Sequence, residues 1–309
     1  EEEEEENIII SLCVMLFFPV RKNFCWCFPT VFSNENFWAI DRRIFGLFFL
    51  IKRKLKNTSS RGTHHIITRA HTKKRMIQKP TIDVVISAFN EQESIVHILK
   101  DMPMDWVREI VVVNNNSTDD TVKRASAGGA TVIFEPRQGY GYACLKGIDY
   151  LKNKKDQPDI IVFMDADYSD HPEELPFVVQ PIIERNMDMV IGSRALGIRE
   201  KRSMMPQQLF GNWLATRLIR LFYGAKFTDL GPFRALKFEK LLELNMQDTT
   251  YGWTVEMQVK AAKRKYKFCE VAVRYRERIG VSKVTGTIKG TILAGYKIII
   301  TIFKYVFKK

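Results

Sequence analysis

A strand-then-helix pattern that begins at Ile82 leaves few folds open to this chain. "IDVVISAFN" (82–90) is a β-branched run ending in polar residues, and "EQESIVHILKDM" after it repeats apolar residues at helical spacing. "IVVVNNNSTDD" (110–120) repeats the form, with Ser117 or Thr118 expected to cap the next helix and Asp119 and Asp120 in its first turn. Then follow "ATVIFEP" (130–136), a helix over about 140–152, "DIIVFMD" (159–165), a helix over 172–185, and "DMVIGSR" (188–194). This alternation predicts an α/β fold with a mostly parallel sheet covered on both faces. Ligands of such sheets sit beyond the carboxyl ends of the strands. Polar residues fall at those ends here: Asn90 and Glu91, Asn114 to Asn116, Arg137, Asp165 and Asp167, then Ser193 and Arg194. Five polar strand ends in register describe a site.

The sharpest part of that array is "IIVFMDADYSDHPEELP" (160–176), where an apolar run meets Asp165 and Asp167 with one alanine between them. Two carboxylates so close repel and raise each other's pKa unless a cation joins them. Mg²⁺ or Mn²⁺ takes hard oxygen ligands and commonly bridges one or two carboxylates to substrate phosphates. The basic residues nearby suit a diphosphate. The competing reading gives one aspartate to capping the next helix and the other to solvent.

Composition sets wider bounds. The 309 residues suffice for one large or two small domains, and 46% hydrophobic with 27% charged residues is ordinary for a globular protein. The 48 Lys+Arg against 35 Asp+Glu admit phosphates, nucleic acid or anionic lipid as partners. Ten Lys/Arg and no acid fall between Lys52 and Lys79, ahead of the patterned region, which argues against a nucleic-acid-binding module. The five cysteines show no zinc-type spacing with histidines, and Cys144 and Cys269 fit a reducing cytosol. Residues 1–75 open with six glutamates and hold two apolar patches, each shorter than the roughly 20 residues of a membrane-spanning helix. They read as an anchor with a polybasic linker, or as an extension that is disordered or precedes the true start. The second reading is the expectation, because Met76 stands directly before the first strand. The expected organisation is therefore an extension over 1–75, a domain over 76–290 and a basic amphipathic tail over 291–309.

Several ordered motifs carry a resemblance: "VVISAFNEQESI", "VVVNNNSTDDT", "RQGYGYACLKGI", "FMDADYSDHPEELP", "VIGSR", "DLGPFRALK" and "EVAVRYRERIGVSK". From about Thr81 to about Gly290 the chain resembles the family 2 glycosyltransferases of the A-type, Rossmann-like fold. It is most similar to the dolichyl-phosphate mannose and glucose synthases and their bacterial relatives. The resemblance implies that Asp165 and Asp167 bind metal and diphosphate, with Asp167 also counted catalytic, and that Ala166 between them touches the donor. It implies that Ala88, Asn90 and Glu91 line the nucleotide pocket. Asn114 stands where most relatives have an aspartate contacting base or ribose, so the donor base, uridine or guanosine, stays open. Arg137 joins the donor side. Arg194 is similar to the arginine that handles phosphate after "GS". Arg278, Ser282 and Lys283 match a segment that closes over the donor diphosphate. The synthases carry a further arginine in the helix after Pro206, which "QQLFGNW" lacks, leaving Arg202 or Arg217 to substitute.

The remaining motifs are less specific. "GYGYACLKG" is a glycine-containing loop leading into a helix whose N-terminus faces phosphate, or else a tight turn. "DLGPFRAL" places Asp229 and Gly231 in a turn before a short strand. "YGWTVEMQVKAAKRK" is an amphipathic helix whose Glu256 is expected to point into the cleft beside Trp253, as the general base a hydroxyl acceptor needs, or else to be a solvated or capping charge. The tail gathers Lys289, Lys297 and Lys304 broadly to one side and Ile292, Tyr296, Ile299 and Phe303 to another, as an interfacial helix or a packed terminal helix does. Together these lead to an expected metal-dependent, inverting transfer of sugar from a UDP- or GDP-linked donor to a polyprenyl phosphate. The enzyme would be cytoplasmic, peripheral on the membrane face, and without a nucleic-acid partner. The rivals are transfer to a hydroxyl of a growing glycan and, less well matched, sugar nucleotidyl transfer.

Overall fold

The structure, a computed structural model, describes residues 79–280 and 288–307. The extension expected over 1–75, and Ser282 and Lys283, lie outside the described residues. Within them one sheet holds β1 (Ile82–Ala88), β2 (Glu109–Asn114), β3 (Thr131–Phe134), β4 (Ile160–Asp165), β5 (Met189–Ser193), β6 (Arg234–Lys237) and β7 (Phe268–Ala272). The spatial order is β3-β2-β1-β4-β6-β5-β7. All neighbours run parallel except β6, which is antiparallel to both β4 and β5. The helices are α1 (Ser94–Asp101), α2 (Thr121–Ala127), α3 (Tyr140–Lys152), α4 (Leu175–Arg185), α5 (Pro206–Tyr223), α6 (Phe238–Leu244), α7 (Trp253–Lys263) and α8 (Ile288–Phe307).

The central strands are apolar at almost every position because both faces are covered. Val85, Val111, Val113, Ile161 and Phe163 enter one core layer with residues of α3, α5, α6, α7 and α8. Their neighbours Val84, Ile86, Val112, Val162 and Met164 enter the opposite layer with α1, α2 and α4. Successive strand side chains point to opposite faces, so each five- or six-residue run serves two cores. Close approach of α3 to the sheet depends on Gly147, where an added Cβ would stand 2.5 Å from Val85 Cγ1. Trp253 is fully buried beneath that layer, with its ring edge-on to Phe163 at 4.7 Å and to Tyr140 at 5.9 Å.

Three local expectations shift. Asp119, rather than Ser117 or Thr118, supports the start of α2: its Oδ1 accepts from the Thr121 amide at 3.0 Å. The helix expected over 172–185 opens as a 3₁₀ turn, Pro172–Glu174, and becomes α-helical only at Leu175. Pro176 then sits in the first α-helical turn, where its missing N–H costs nothing. The third shift is at the sheet edge: the short strand expected after Gly231 forms as β6 and inserts antiparallel between β4 and β5, and β7, not expected, pairs with β5 beyond it.

The tail forms α8, packed against α5 and α7 with Ile299, Ile302 and Tyr305 buried. The Tyr223 hydroxyl donates to the Ile302 carbonyl, and Lys263 Nζ donates to the Tyr305 carbonyl at 2.8 Å. No helix among the described residues is long and apolar enough to cross a membrane. The Tyr305 hydroxyl also donates to Glu256 Oε1 at 2.6 Å, inside the core. Replacing Tyr305 by Phe leaves that buried carboxylate short of a donor, a loss of about 1.5–3 kcal/mol for a hydrogen bond to a charged group. Urea unfolding of Tyr305→Phe beside the parent chain measures it.

Candidate active site

The loops after β1 and β2 form one knitted rim. The Asn90 amide donates to Ser117 Oγ at 3.0 Å, and Asn90 Oδ1 accepts from the Thr118 amide at 2.8 Å. The Glu91 amide donates to Thr121 Oγ1 at 2.8 Å, while the Glu91 carboxylate accepts from Ser94 Oγ. Asn90 has φ 53°, left-handed backbone that asparagine tolerates better than most residues. Asn114 is buried, and its Oδ1 accepts from the Ser117 amide at 2.9 Å, so its side chain closes the turn after β2. Asn115, unassigned from sequence, spans to the next strand end by donating to the carbonyls of Glu135 and Arg137 and accepting from the Gly139 amide. Ala88 is fully buried at the end of β1. Arg137 is exposed, pairs with Glu135 at 2.8 Å and lies over the Tyr142 ring at 4.4 Å.

Beside this rim β4 delivers the acidic pair. Ala166 between them is buried. Asp167 Oδ1 accepts from the Ser169 amide at 3.0 Å and its hydroxyl at 2.5 Å, and Oδ2 pairs with Arg278 at 3.0 Å. The Asp165 Oδ1 atom is sealed from solvent without a partner. Burial, reinforced by the Asp167 charge, pushes the Asp165 carboxyl up to about 7, against the pull of Arg278. The Tyr140 hydroxyl is near enough to influence Asp165 but makes no bond of acceptable geometry to it. Asp170, three residues on, is 1% exposed and has both oxygens unpartnered. A buried, under-compensated carboxylate group of this kind fits a divalent cation with oxygen ligands. No three His, Cys, Asp or Glu side chains among the described residues converge on one coordination point.

The backbone between these acids is strained. Tyr168 has φ 61°, a conformation a bulky residue rarely adopts. Its ring is held by three partners: Arg276 lies over it at 3.8 Å, His97 lies at 5.2 Å, and the hydroxyl bonds to Asp101. Sequence reasoning missed Asp101, Ser169, Asp170 and Arg276, whose contacts join segments far apart in the chain.

Arg194 follows β5 and is committed to Asp229. Its Nε and Nη2 bond the two Asp229 oxygens at 2.8 and 2.7 Å, and its amide bonds Oδ2 at 2.7 Å. Burial works against both charges, but their mutual attraction dominates, holding Asp229 below the usual carboxylate range and keeping Arg194 protonated. An open cleft of about 500 Å³ borders Asp229 and is lined by Arg199, Trp213, Arg217, Arg220 and Lys226. Of the two arginines expected to substitute for the one missing after Pro206, Arg217 on α5 lines this cleft together with Arg220, whereas Arg202 does not.

The structure does not bring Glu256 to the cleft. It is fully buried, accepts from the amides of Gln247 and Asp248, and pairs with Lys260 at 2.6 Å. Its surroundings explain the difference: α7 is buried from Val255 to Ala261, so the helix turns no side to an open pocket there. Gly139, just before α3, and Gly141, in its first turn, meet the 248–249 backbone. A Cβ at either would stand within 2.4 Å of a backbone oxygen, Thr249 for the first and Asp248 for the second, so both glycines permit close chain packing. The buried Arg194–Asp229 pair gives a direct test. Asp229→Asn strands a buried guanidinium, and loss of one partner of such a pair costs about 3–5 kcal/mol. Denaturant unfolding of that variant is expected to show a loss of this size.

The comparisons with known proteins agree with this geometry. The model of glycosyl transferase family 2 matches residues 83–244. An uncharacterized glycosyltransferase of Mycobacterium tuberculosis is 32% identical over 216 residues, covering 69% of this chain and 94% of that protein. A dolichyl-phosphate hexose transferase of Haloferax volcanii is 32% identical over 205 residues, 65% of this chain and 85% of its own. Glucosyl-3-phosphoglycerate synthase of M. tuberculosis, crystallised with Mn²⁺, UDP and glucosyl-3-phosphoglycerate, is similar in fold. Its TM-score is 0.57 at 22% identity, over 73% of this chain and 79% of that one. A family match spanning the rim and the acidic pair, on a sheet of this order, makes the chain a member of glycosyl transferase family 2, a nucleotide-sugar-dependent glycosyltransferase of the A-type fold.

Proposed function

We propose that the enzyme moves a sugar, with inversion at the anomeric carbon, from a nucleoside-diphosphate donor to a polyprenyl phosphate at a membrane surface. The observation that carries this reading is the cleft beside Asp229. Four cations line it, and on α5 the exposed Leu209, Trp213 and Arg217 follow one another at four-residue intervals, hence on one helix face. Ile198 beside it is 78% exposed. Basic groups beside exposed aromatic and aliphatic groups suit an acceptor with an anionic head and an apolar tail. The dolichyl-phosphate acceptor in the name of the Haloferax relative supports the same class.

On the donor side, Ala88, Asn90 and Glu91 with Asn114 form the nucleotide rim, and Arg137 flanks it. Asp165 and Asp167 hold Mg²⁺ or Mn²⁺, which when bound offsets the negative charge of the leaving diphosphate. Mn²⁺ in the crystals of the glucosyl-3-phosphoglycerate synthase supports that choice. Arg278 is poised on Asp167 and can transfer its bonds to the diphosphate, and Ser282 and Lys283, which follow it in the sequence, are assigned to the same task by the resemblance. Arg194, oriented by Asp229, keeps a fixed positive charge between the acidic site and the acceptor cleft.

Protonation favours the phosphate acceptor. A hydroxyl needs a positioned base as it attacks, whereas a phosphate monoester is already largely anionic at neutral pH. Glu256, the base expected for a hydroxyl acceptor, has its oxygens engaged in the core. In an assay of nucleotide release and glycolipid formation, Arg217→Ala with Arg220→Ala is expected to cut transfer to polyprenyl phosphate about ten- to hundredfold. That is the scale of one or two lost charge-assisted bonds, and donor hydrolysis should be unchanged. Undiminished transfer by the double variant, or turnover only with alcohol acceptors, overturns the acceptor assignment and favours a glycan hydroxyl.

A further inference from the structure

Asp170 stands apart from the other buried acids. Asp83, Glu135, Glu174, Asp229 and Glu256 are each buried, and each is paired with an arginine or lysine. Asp170 is 1% exposed, and neither of its carboxylate oxygens has a hydrogen-bond partner. Its backbone is fixed by a bridge to Tyr275 and by Arg276, whose Nη2 donates to the Asp170 carbonyl at 3.5 Å, so the side chain is held where it is. Buried polar groups in native folds are almost always satisfied, and one that is not marks a place a ligand or water completes.

The neighbours of that carboxylate identify the ligand. Asp165 and Asp167 are close enough for their charges to act on it, and Arg194 opposes them. Asp167 is already engaged at both oxygens, by Ser169 and by Arg278. The acceptor atoms sealed from solvent without a partner at this end of β4 are Asp165 Oδ1 and the two oxygens of Asp170. The carboxylates do not converge on one coordination point, so Asp170 stands outside the inner ring of a single ion held by the pair. Ions such as Mg²⁺, bound through one or two carboxylates, keep several waters, and the hydrogens of those waters need acceptors. Acceptors of this kind orient the inner ligands and set affinity.

We propose that Asp170 is the outer carboxylate of the metal site, accepting hydrogen bonds from water molecules carried by the cation that Asp165 and Asp167 hold. It is a positioning residue, and the assignment rests on the metal-dependent reading given above. The test uses the full chain, Mn²⁺ titration followed by electron paramagnetic resonance of the free ion, and thermal unfolding in EDTA. Asp165→Asn serves as the control. Asp170→Asn is expected to bind Mn²⁺ about ten- to hundredfold more weakly, the usual effect of losing such a partner. In EDTA it should unfold at the parent's temperature or above it, because an amide needs no charge in a pocket where burial and the neighbouring acids disfavour one. Should Asp170→Asn not fold, Asp170→Ser removes the same carboxylate and is read the same way. Parent-like Mn²⁺ affinity in the variant overturns the proposal. A lower unfolding temperature in EDTA with unchanged affinity overturns it too, and makes Asp170 a structural acid. If the parent chain itself fails to bind Mn²⁺ at millimolar concentration, the metal-dependent reading falls and this proposal with it.

Discussion

Asp165, Asp167 and Asp170 crowd the carboxyl end of one strand, in a pocket mostly closed to water, and every neighbouring element is arranged around their charge. Carboxylates in such surroundings are stable only where cations or donors answer them. Arg278 answers Asp167, and Ser169 adds two donors to it. Arg194 contributes its charge from the next strand but is itself held by Asp229. Tyr168 accepts an unfavourable backbone conformation so that Asp167 and Asp170 reach their places, and Arg276, His97 and Asp101 fix its ring. The negative charge still exceeds what these groups neutralise. An enzyme that binds a cation and expels a diphosphate benefits from that excess, because the site is completed by its ligands.

Much of this was legible in the sequence, and what was legible has a common cause. The bounds of α3, Tyr140–Lys152, and the runs that became β1 and β4 come from local periodicity and end signals, which need no partner to be read. The positions of Asp165 and Asp167 follow from β4 itself. By contrast β6 is a four-residue antiparallel insertion between β4 and β5, and nothing within "RALK" states which strands it joins. Glu256 was misjudged for the same reason. Its own helix suggested a half-exposed charge beside Trp253, yet its partners are the 247–248 backbone and Tyr305, the latter 49 residues away. The Arg194–Asp229 pair, 35 residues apart, was split in the sequence between two unrelated motifs.

The site thus joins two kinds of surface. On the side proposed for the donor the rim is polar and closely bonded, with the side-chain amides of Asn90, Asn114 and Asn115 engaged by neighbouring backbone. On the side proposed for the acceptor the wall is basic and apolar and its side chains are exposed, as at Trp213 and Arg217. Rigid groups on the donor side favour selection of one nucleotide shape, since unpaired polar groups penalise a wrong one. Long exposed side chains on the other side favour a ligand known by charge and greasiness, with few fixed distances to satisfy.

The pairing of β4 with a segment far downstream also orders events during synthesis. Arg274 meets Glu174 across a separation of 100 residues, and Arg278 meets Asp167 across a similar stretch. A chain emerging from the ribosome carries its aspartates well before it carries their arginines. In that interval the acids are best left in water, where their charges are cheaply hydrated, and the end of β4 has reason to stay open. The cations that face these acids follow β7, which lies at the sheet edge beside β5, so the pocket cannot be complete before that segment has been made. The acidic end of β4 is in this sense completed late, and of the described elements only the terminal helix α8 has still to be added after it.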